Sequence, residues 1–292
     1  MSPFGPIGVV GLGLLGGASA ARLTEQGSEV VGFDTSAARR EAAAATGVMV
    51  VDDCAAVLAR CETVFTSLPD GAIVEKLLRD FAGAIRPEHT IIDTTTAAPE
   101  QMIAHAEFVR QFGATFVEAE VAGSSVQLRR GEAILFTAGE PAAVDSVRDL
   151  LGLLSGDDHY VGPSGSAAKL KLVHNLVLGL HRAVLAEGLS LAAGLGLDVG
   201  RTLEILGRAP AASRVMAVKG PKMTARDFTP QATVRQHLKD VRLILAAAAG
   251  AGRPTPLSEV HVRLLERAIE RGHSESDNSA VITAYDGPLG PG

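Results

Sequence analysis

The chain has 292 residues, 47% of them hydrophobic and 21% charged, and a formal net charge of -6 at pH 7. That length suffices for two domains of ordinary size, each with its own core. With no long basic run, the clustered Lys and Arg surface of a nucleic-acid binder is excluded, and small molecules are the expected partners.

In chain order, the opening MSPFGPIGVV lacks the basic segment and long apolar core of a signal peptide. Its IGVV predicts a strand, followed by a helix from Leu14. Between them Gly11, Gly13 and Gly16 stand in the spacing G-x-G-x-x-G, with Leu12, Leu14 and Leu15 completing the turn. Each glycine has a physical reason: a tight turn, room for a pyrophosphate against the backbone, and close helix-to-strand packing. The helix start then offers unpaired N–H groups to phosphates.

SEVVGFD predicts a second strand ending at Asp34, 18 residues beyond Gly16. An acid there accepts hydrogen bonds from both adenosine ribose hydroxyls and repels a 2′-phosphate, which favours NAD over NADP. Arg39 and Arg40 are near enough to receive such a phosphate, so NADP stays open as the lesser expectation. Asp34 also reads as a helix cap, although Ser36 serves that purpose equally well.

SAARREAAAATG predicts the next helix. Cys54 and Cys61 are too few for a disulfide framework and suit a reducing compartment. ETVFTSLP and HTIIDTTT predict two further strands, followed by the helices GAIVEKLLRDFAG and APEQMIAHAEFVRQFG. VEAEVAGSS then places a turn of small residues at 121 to 125. After DHYVGPSG the strands stop, and residues 166 to 287 read as helices broken by Gly, Pro and short polar turns.

The pattern predicts an α/β fold of Rossmann type, a doubly wound, mainly parallel sheet followed by an all-helical domain. The dinucleotide-binding domain is expected over 1–163 and the helical substrate and oligomerisation domain over 164–292. The first helix of the latter, Ser166 to about Gly194, is apolar nearly all the way round. That predicts burial on several sides, between domains or between subunits, and at least a dimer. No run of about 20 apolar residues is expected to span a membrane. The chain therefore reads as cytoplasmic, a homodimer or homotetramer with no membrane partner. The histidines show no metal-ligand grouping, and no metal is expected.

Within that helix, GSAAKLKLVHN places two lysines, a histidine and an asparagine inside one of the most apolar stretches of the chain. A buried lysine needs a partner or a task. Together with the glycine turn, IIDTTTAAPE, VEAEVAGSS, HLKDV and the closing SDNSAV, the stretch resembles the β-hydroxyacid dehydrogenase family over nearly the whole chain. That family includes 3-hydroxyisobutyrate dehydrogenases and tartronate semialdehyde reductases, and its motif G-x-G-x-x-x-K-x-x-N-N carries a catalytic lysine and a substrate-binding asparagine. Here Gly165, Lys171 and Asn175 fit, while Ala167 and His174 stand where the motif has glycine and asparagine. Lys171 and Asn175 share a helix face, whereas Lys169 is turned about 200° from Lys171.

The resemblance further implies that Thr95 and Thr96, after Asp93, match the family's D-x-S-T, with Thr95 toward the substrate and Thr96 near the nicotinamide ribose. Leu68 and Pro69 would lie under the cofactor, and Lys239 would close over it. The family's substrate turn reads D-A-P-V-S-G-G, but this chain has Glu118, Ala119, Glu120, Val121, Ala122, Gly123 and Ser124. No hydroxyl stands at Ala122, so Gly123 N–H, Ser124 or Ser125 is left to hold the substrate carboxylate.

The implied reaction is hydride transfer between NAD and a small 3-hydroxy acid of the 3-hydroxyisobutyrate, tartronate semialdehyde/glycerate or sugar-acid type. Lys171 would be the general acid/base. A free lysine, at about 10.4, is too protonated for that task. Burial disfavours the ammonium, and reaching about 8 takes some 3 kcal/mol at roughly 1.36 kcal/mol per unit.

Three alternatives stand beside this reading. His174 brings the motif closer to the K-x-x-H-N of 6-phosphogluconate-type oxidative decarboxylases, yet Leu178 occupies the place of their glutamate acid. An imine reductase shares the architecture, but Lys171 and Asp34 count against it. A dinucleotide-binding sensor or scaffold without turnover would explain Ala122 and His174.

Overall fold

Runs of branched residues form the strands, because Val, Ile and Thr pack well on a pleated surface and lose rotamer freedom in a helix. The protein is described here by a computed structural model covering residues 4–287. In chain order it forms β1 (Ile7–Val10), α1 (Leu14–Glu25), β2 (Val30–Phe33), α2 (Ala37–Ala44), β3 (Met49–Val50), α3 (Cys54–Leu58), β4 (Thr63–Thr66) and α4 (Gly71–Asp80). There follow β5 (Thr90–Asp93), α5 (Pro99–Arg110), β6 (Thr115–Ala122), α6 (Ser125–Arg130), β7 (Ile134–Ala138), α7 (Pro141–Leu154) and β8 (Asp158–Tyr160). All helices after these lie beyond residue 165.

The eight strands make one sheet in the order β3-β2-β1-β4-β5-β6-β7-β8. Every neighbouring pair is parallel except β6 and β7. Only residues 123–133 join those two, too few for the crossover that a parallel pair requires, so the chain returns antiparallel. Strand order reverses between β1 and β4, the switch point at whose carboxyl ends ligands bind in such sheets.

Both faces of the sheet are covered. Ile7, Val9, Phe65, Ile92, Val117, Ala119 and Val121 meet Ala20 and Leu23 of α1 and Leu150, Leu151 and Leu154 of α7. On the other face Val10, Val31 and Val64 pack with Val57 and Leu58, and Ile91 and Phe116 with Val74, Leu78, Met102 and Val109. Each fully buried aliphatic side chain contributes roughly 1.5–3 kcal/mol. Both cysteines are free and buried, and desolvation pushes each thiol up to about 12.

The helical part consists of α8 (Ser166–Gly194), α9 (Val199–Leu206), α10 (Arg214–Ala225), α11 (Val234–Gly250), α12 (Pro256–Glu270) and a 3₁₀ segment, Asn278–Tyr285. Leu185, Leu189, Met216, Met223, Leu238, Val241, Leu265 and Val281 form its core. The chain separates into two compact units, Met1–Lys171 and Leu172–Gly292, so the division falls inside α8.

Within the single chain Leu172, Asn175, Gly179, Arg182, Ala186 and Leu189 are buried at helical spacing, while Val184 is 71% and Leu191 61% exposed. A helix packed along one side of a bundle hides one face only. By length and composition α8 also meets the measure of a membrane-crossing helix, which corrects the expectation that no run does. A single such helix carries no argument for a membrane, since core helices of globular proteins meet the same measure.

Candidate active site

β1 runs into Gly11, whose φ of +94° lies where only glycine is unstrained. A Cβ there would stand 2.2 Å from the Ser67 carbonyl oxygen, and one on Gly16 would stand 1.9 Å from the Gly11 carbonyl oxygen. Neither position admits a side chain. Gly13 is different: a Cβ would have nothing nearer than Arg39, at 3.9 Å, so the omitted side chain leaves open space. Gly13 is also the N-cap of α1 and gives no side-chain cap, and no acid occupies the first turn. These N–H groups, with that space before them, fit a pyrophosphate.

Asp34 is buried just beyond β2. Its Oδ2 accepts the Leu12 N–H at 2.8 Å and its Oδ1 the Ser36 N–H at 2.8 Å. Arg39 lies 3.5 Å from Oδ2, and Arg40 donates to the Asp34 carbonyl at 2.6 Å. Each carboxylate oxygen keeps a second lone pair for a ribose hydroxyl.

The neighbouring turn is organised by Asp93 at the end of β5. Its Oδ1 accepts from the Thr66 hydroxyl at 2.8 Å and from the Thr95 N–H at 3.0 Å. The buried Thr95 hydroxyl accepts the Leu68 N–H at 3.0 Å, which fixes Leu68 and Pro69 at the carboxyl end of β4. The Thr96 hydroxyl points elsewhere and donates to Glu120 Oε2 at 3.0 Å.

β6 alternates as a strand must. Val117, Ala119 and Val121 enter the core, and Glu118, Glu120 and Ala122 share the opposite face. Glu118 accepts the N–H groups of Gly165 and, at 3.1 Å, Ala168, so it anchors the start of the helix that carries Lys171. Desolvation pushes the Glu118 carboxyl up against these two bonds. Glu120 is fully buried and is pushed up to about 8, again by desolvation, with Lys171 and Thr96 acting in the other direction.

Lys171 is 8% exposed, and its Nζ donates to the Val121 carbonyl. Gly123 lies where a Cβ would come within 3.0 Å of Ala133. Ser124 caps α6: its hydroxyl accepts the Gln127 N–H at 3.3 Å, and Gln127 Oε1 accepts the Ser124 N–H at 2.9 Å. The Ser124 hydroxyl retains its own proton to donate.

In the helical unit, the buried Asn175 amide donates to Asp240 Oδ2 at 3.1 Å. Lys239 Nζ lies 3.0 Å from Asp240 Oδ1, so one carboxylate orients both predicted ligands of that unit. His174 is half-buried. Among the described residues no group of three or more His, Cys, Asp and Glu side chains is placed to hold a metal.

In the sequence Asp93, Asp240, Glu118 and Glu120 stand only as parts of motifs, with no role of their own. The available signal was VEAEVA, in which period-2 alternation sets two carboxylates on one face of an otherwise apolar strand.

Residues 6–162 match the family model of the NAD binding domain of 6-phosphogluconate dehydrogenase. Residues 165–285 match that of the NAD-binding region of NADP-dependent 3-hydroxyisobutyrate dehydrogenase. The 2-(hydroxymethyl)glutarate dehydrogenase of Eubacterium barkeri is 28% identical over 284 residues, covering 96% of this chain and 94% of that protein. A solved 3-hydroxyisobutyrate dehydrogenase from Salmonella typhimurium shares the fold at a TM-score of 0.88 and 22% identity, covering 95% of this chain and 99% of that one. The Mycobacterium tuberculosis 3-hydroxyisobutyrate dehydrogenase, solved with L-serine, has a TM-score of 0.85 at 25% identity, covering 97% and 100%.

Proposed function

The chain belongs to the β-hydroxyacid dehydrogenase family, and from that premise we propose that it is an NAD(P)-dependent 3-hydroxyacid dehydrogenase with Lys171 as its general acid/base. The observation that carries this reading is the 8% exposed Lys171, held at the end of β6 on a helix whose start is anchored by Glu118. When bound, the nicotinamide supplies the hydride acceptor or donor.

The turn from Gly11 to Gly16 would hold the pyrophosphate, Asp34 the adenosine ribose, and Leu68, Pro69, Thr96 and Lys239 the nicotinamide half. Asp34 makes NAD the preferred form, since its carboxylate repels a 2′-phosphate. Thr95, Gly123, Ser124 and Asn175 are assigned to the substrate, Thr95 through the turn its hydroxyl fixes. The Lys171 amine takes the hydroxyl proton during oxidation, and its ammonium returns a proton to the carbonyl oxygen during reduction. Asn175 offers a neutral amide to the substrate oxygen, which leaves the charge state of the lysine unconstrained. The substrate is a small 3-hydroxy acid of the 3-hydroxyisobutyrate, tartronate semialdehyde/glycerate or sugar-acid type.

One second reading has an observation behind it. Ala122 offers no hydroxyl to a substrate carboxylate, as expected of a dinucleotide-binding sensor. A panel of 3-hydroxy acids assayed by nicotinamide absorbance with NAD and with NADP decides between them. The enzyme reading expects turnover that falls about 10²- to 10⁴-fold in Lys171→Ala with cofactor affinity kept. Cofactor binding without turnover on any acid overturns it in favour of the sensor.

A further inference from the structure

Glu120 lies on the face of β6 that the main core does not use, and its burial is complete. Its Oε2 accepts from Thr96 at 3.0 Å, while its Oε1 has no hydrogen-bond partner among the described residues. A carboxyl left half satisfied in a dry interior is costly unless it is protonated or in use. The next residue, Val121, supplies the carbonyl that receives Lys171 Nζ, so adjacent residues of one strand hold the carboxyl and the amine. The ionisable groups acting on Glu120 are Lys171, Asp93 and Glu118.

We propose that Glu120 is the proton-holding partner of Lys171, so that the base of this site is a carboxyl and amine pair rather than a lone lysine. The inference rests on the assignment of Lys171 made above. In water an amine outcompetes a glutamate for a proton by about 6 pH units. Burial works against both charged forms and narrows that gap. With the shared proton on Glu120, Lys171 is a free amine, and it takes the substrate hydroxyl proton as hydride leaves carbon. In the reducing direction the ammonium gives its proton to the carbonyl oxygen, and the protonated, uncharged Glu120 leaves the resulting amine without a carboxylate to hold it charged. The pair gains one proton for each hydride that leaves the substrate and releases it to solvent before the next turnover, reduction takes one up from solvent in return, and the electron pair passes to or from the nicotinamide. Glu120 is thus a positioning residue for the proton, acting through Lys171.

Carboxyl ¹³C NMR of the cofactor-free protein tests this, with the Glu120 resonance assigned by its loss in Glu120→Gln. Glu120 is expected to titrate about two units or more above the ordinary glutamate value of ~4.3. In Lys171→Met that titration should rise by a further unit or so, as for coupled sites. In Glu120→Gln the pH limb of kcat/KM should move down by a similar amount. A Glu120 titration near its ordinary value and indifferent to Lys171→Met overturns the inference. If Lys171→Ala abolishes turnover while Glu120→Gln keeps the parental limb, the pairing fails and the lysine assignment survives. If Lys171→Ala leaves turnover intact, the lysine assignment itself fails.

Discussion

The Asp34 carboxylate accepts the Leu12 N–H at 2.8 Å, which ties the end of β2 to the middle of the glycine turn. One side chain therefore shapes the phosphate loop and presents a negative charge to the ribose. Asp34→Asn retains an acceptor for one N–H but removes the charge. The expected result is a fall of about tenfold or more in the preference for NAD over NADP, equivalent to ~1.4 kcal/mol. Calorimetric titration with each dinucleotide measures it, and an unchanged ratio would show that the Asp34 charge does not set the preference.

Gly16→Ala tests the cradle. The added methyl would sit 1.9 Å from the Gly11 carbonyl oxygen and 2.9 Å from the Ser67 Cβ, and backbone cannot yield as a flexible side chain can. Either α1 moves away from β1 or the turn opens. Dinucleotide affinity should fall at least about 100-fold, some 2.7 kcal/mol, with a lower Tm. Wild-type affinity in this variant would show that the turn does not approach a phosphate.

The alternation of strands and helices was legible because its signals are local: branched runs, glycine spacing and periodicity are read within a dozen residues. Met49–Val50 and Cys54–Leu58 went unread because two and five residues carry almost no periodicity. The site was legible where a turn dictates it, at Gly11, Gly16 and Asp34. It was not legible at Glu118, whose partners Gly165 and Ala168 are 47 and 50 residues away, nor in the pairing of Asn175 with Asp240 across 65 residues. The apolar girdle of α8 is likewise not a local matter. Composition says that a face is apolar but not whether anything covers it, and Val184 and Leu191 are exposed.

Glu118→Gln should destabilise the protein by about 1–3 kcal/mol. The carboxylate accepts the N–H groups of Gly165, just before α8, and of Ala168 in its first turn, whereas an amide has one oxygen and must aim its NH₂ at the second donor. Urea denaturation measures the loss. Because the helix start also places Lys171, kcat should fall while dinucleotide affinity in the glycine turn is kept. Parental stability in this variant would mean that the α8 start is held by something other than this carboxyl.

His261 gives the protein an acid sensitivity with a defined sign. Its ring lies 5.1 Å from that of His237, and both face Gly179 of α8, where a Cβ would come within 2.7 Å of either ring. Burial, and then the charge of the fully buried Arg182, push the His261 imidazole down to about 3. In the unfolded chain the same ring protonates near 6.5. Below that pH the unfolded state takes up a proton that the native state refuses until about pH 3, so stability is complete above 6.5 and is lost as pH falls through that window. The slope from this group is at most about 1.4 kcal/mol per pH unit. His261→Phe removes the titration, so its stability relative to the parent should improve steadily from pH 6.5 to 4 in urea denaturation series. A constant difference between the two proteins over that range would show that the native ring accepts a proton as readily as the unfolded one.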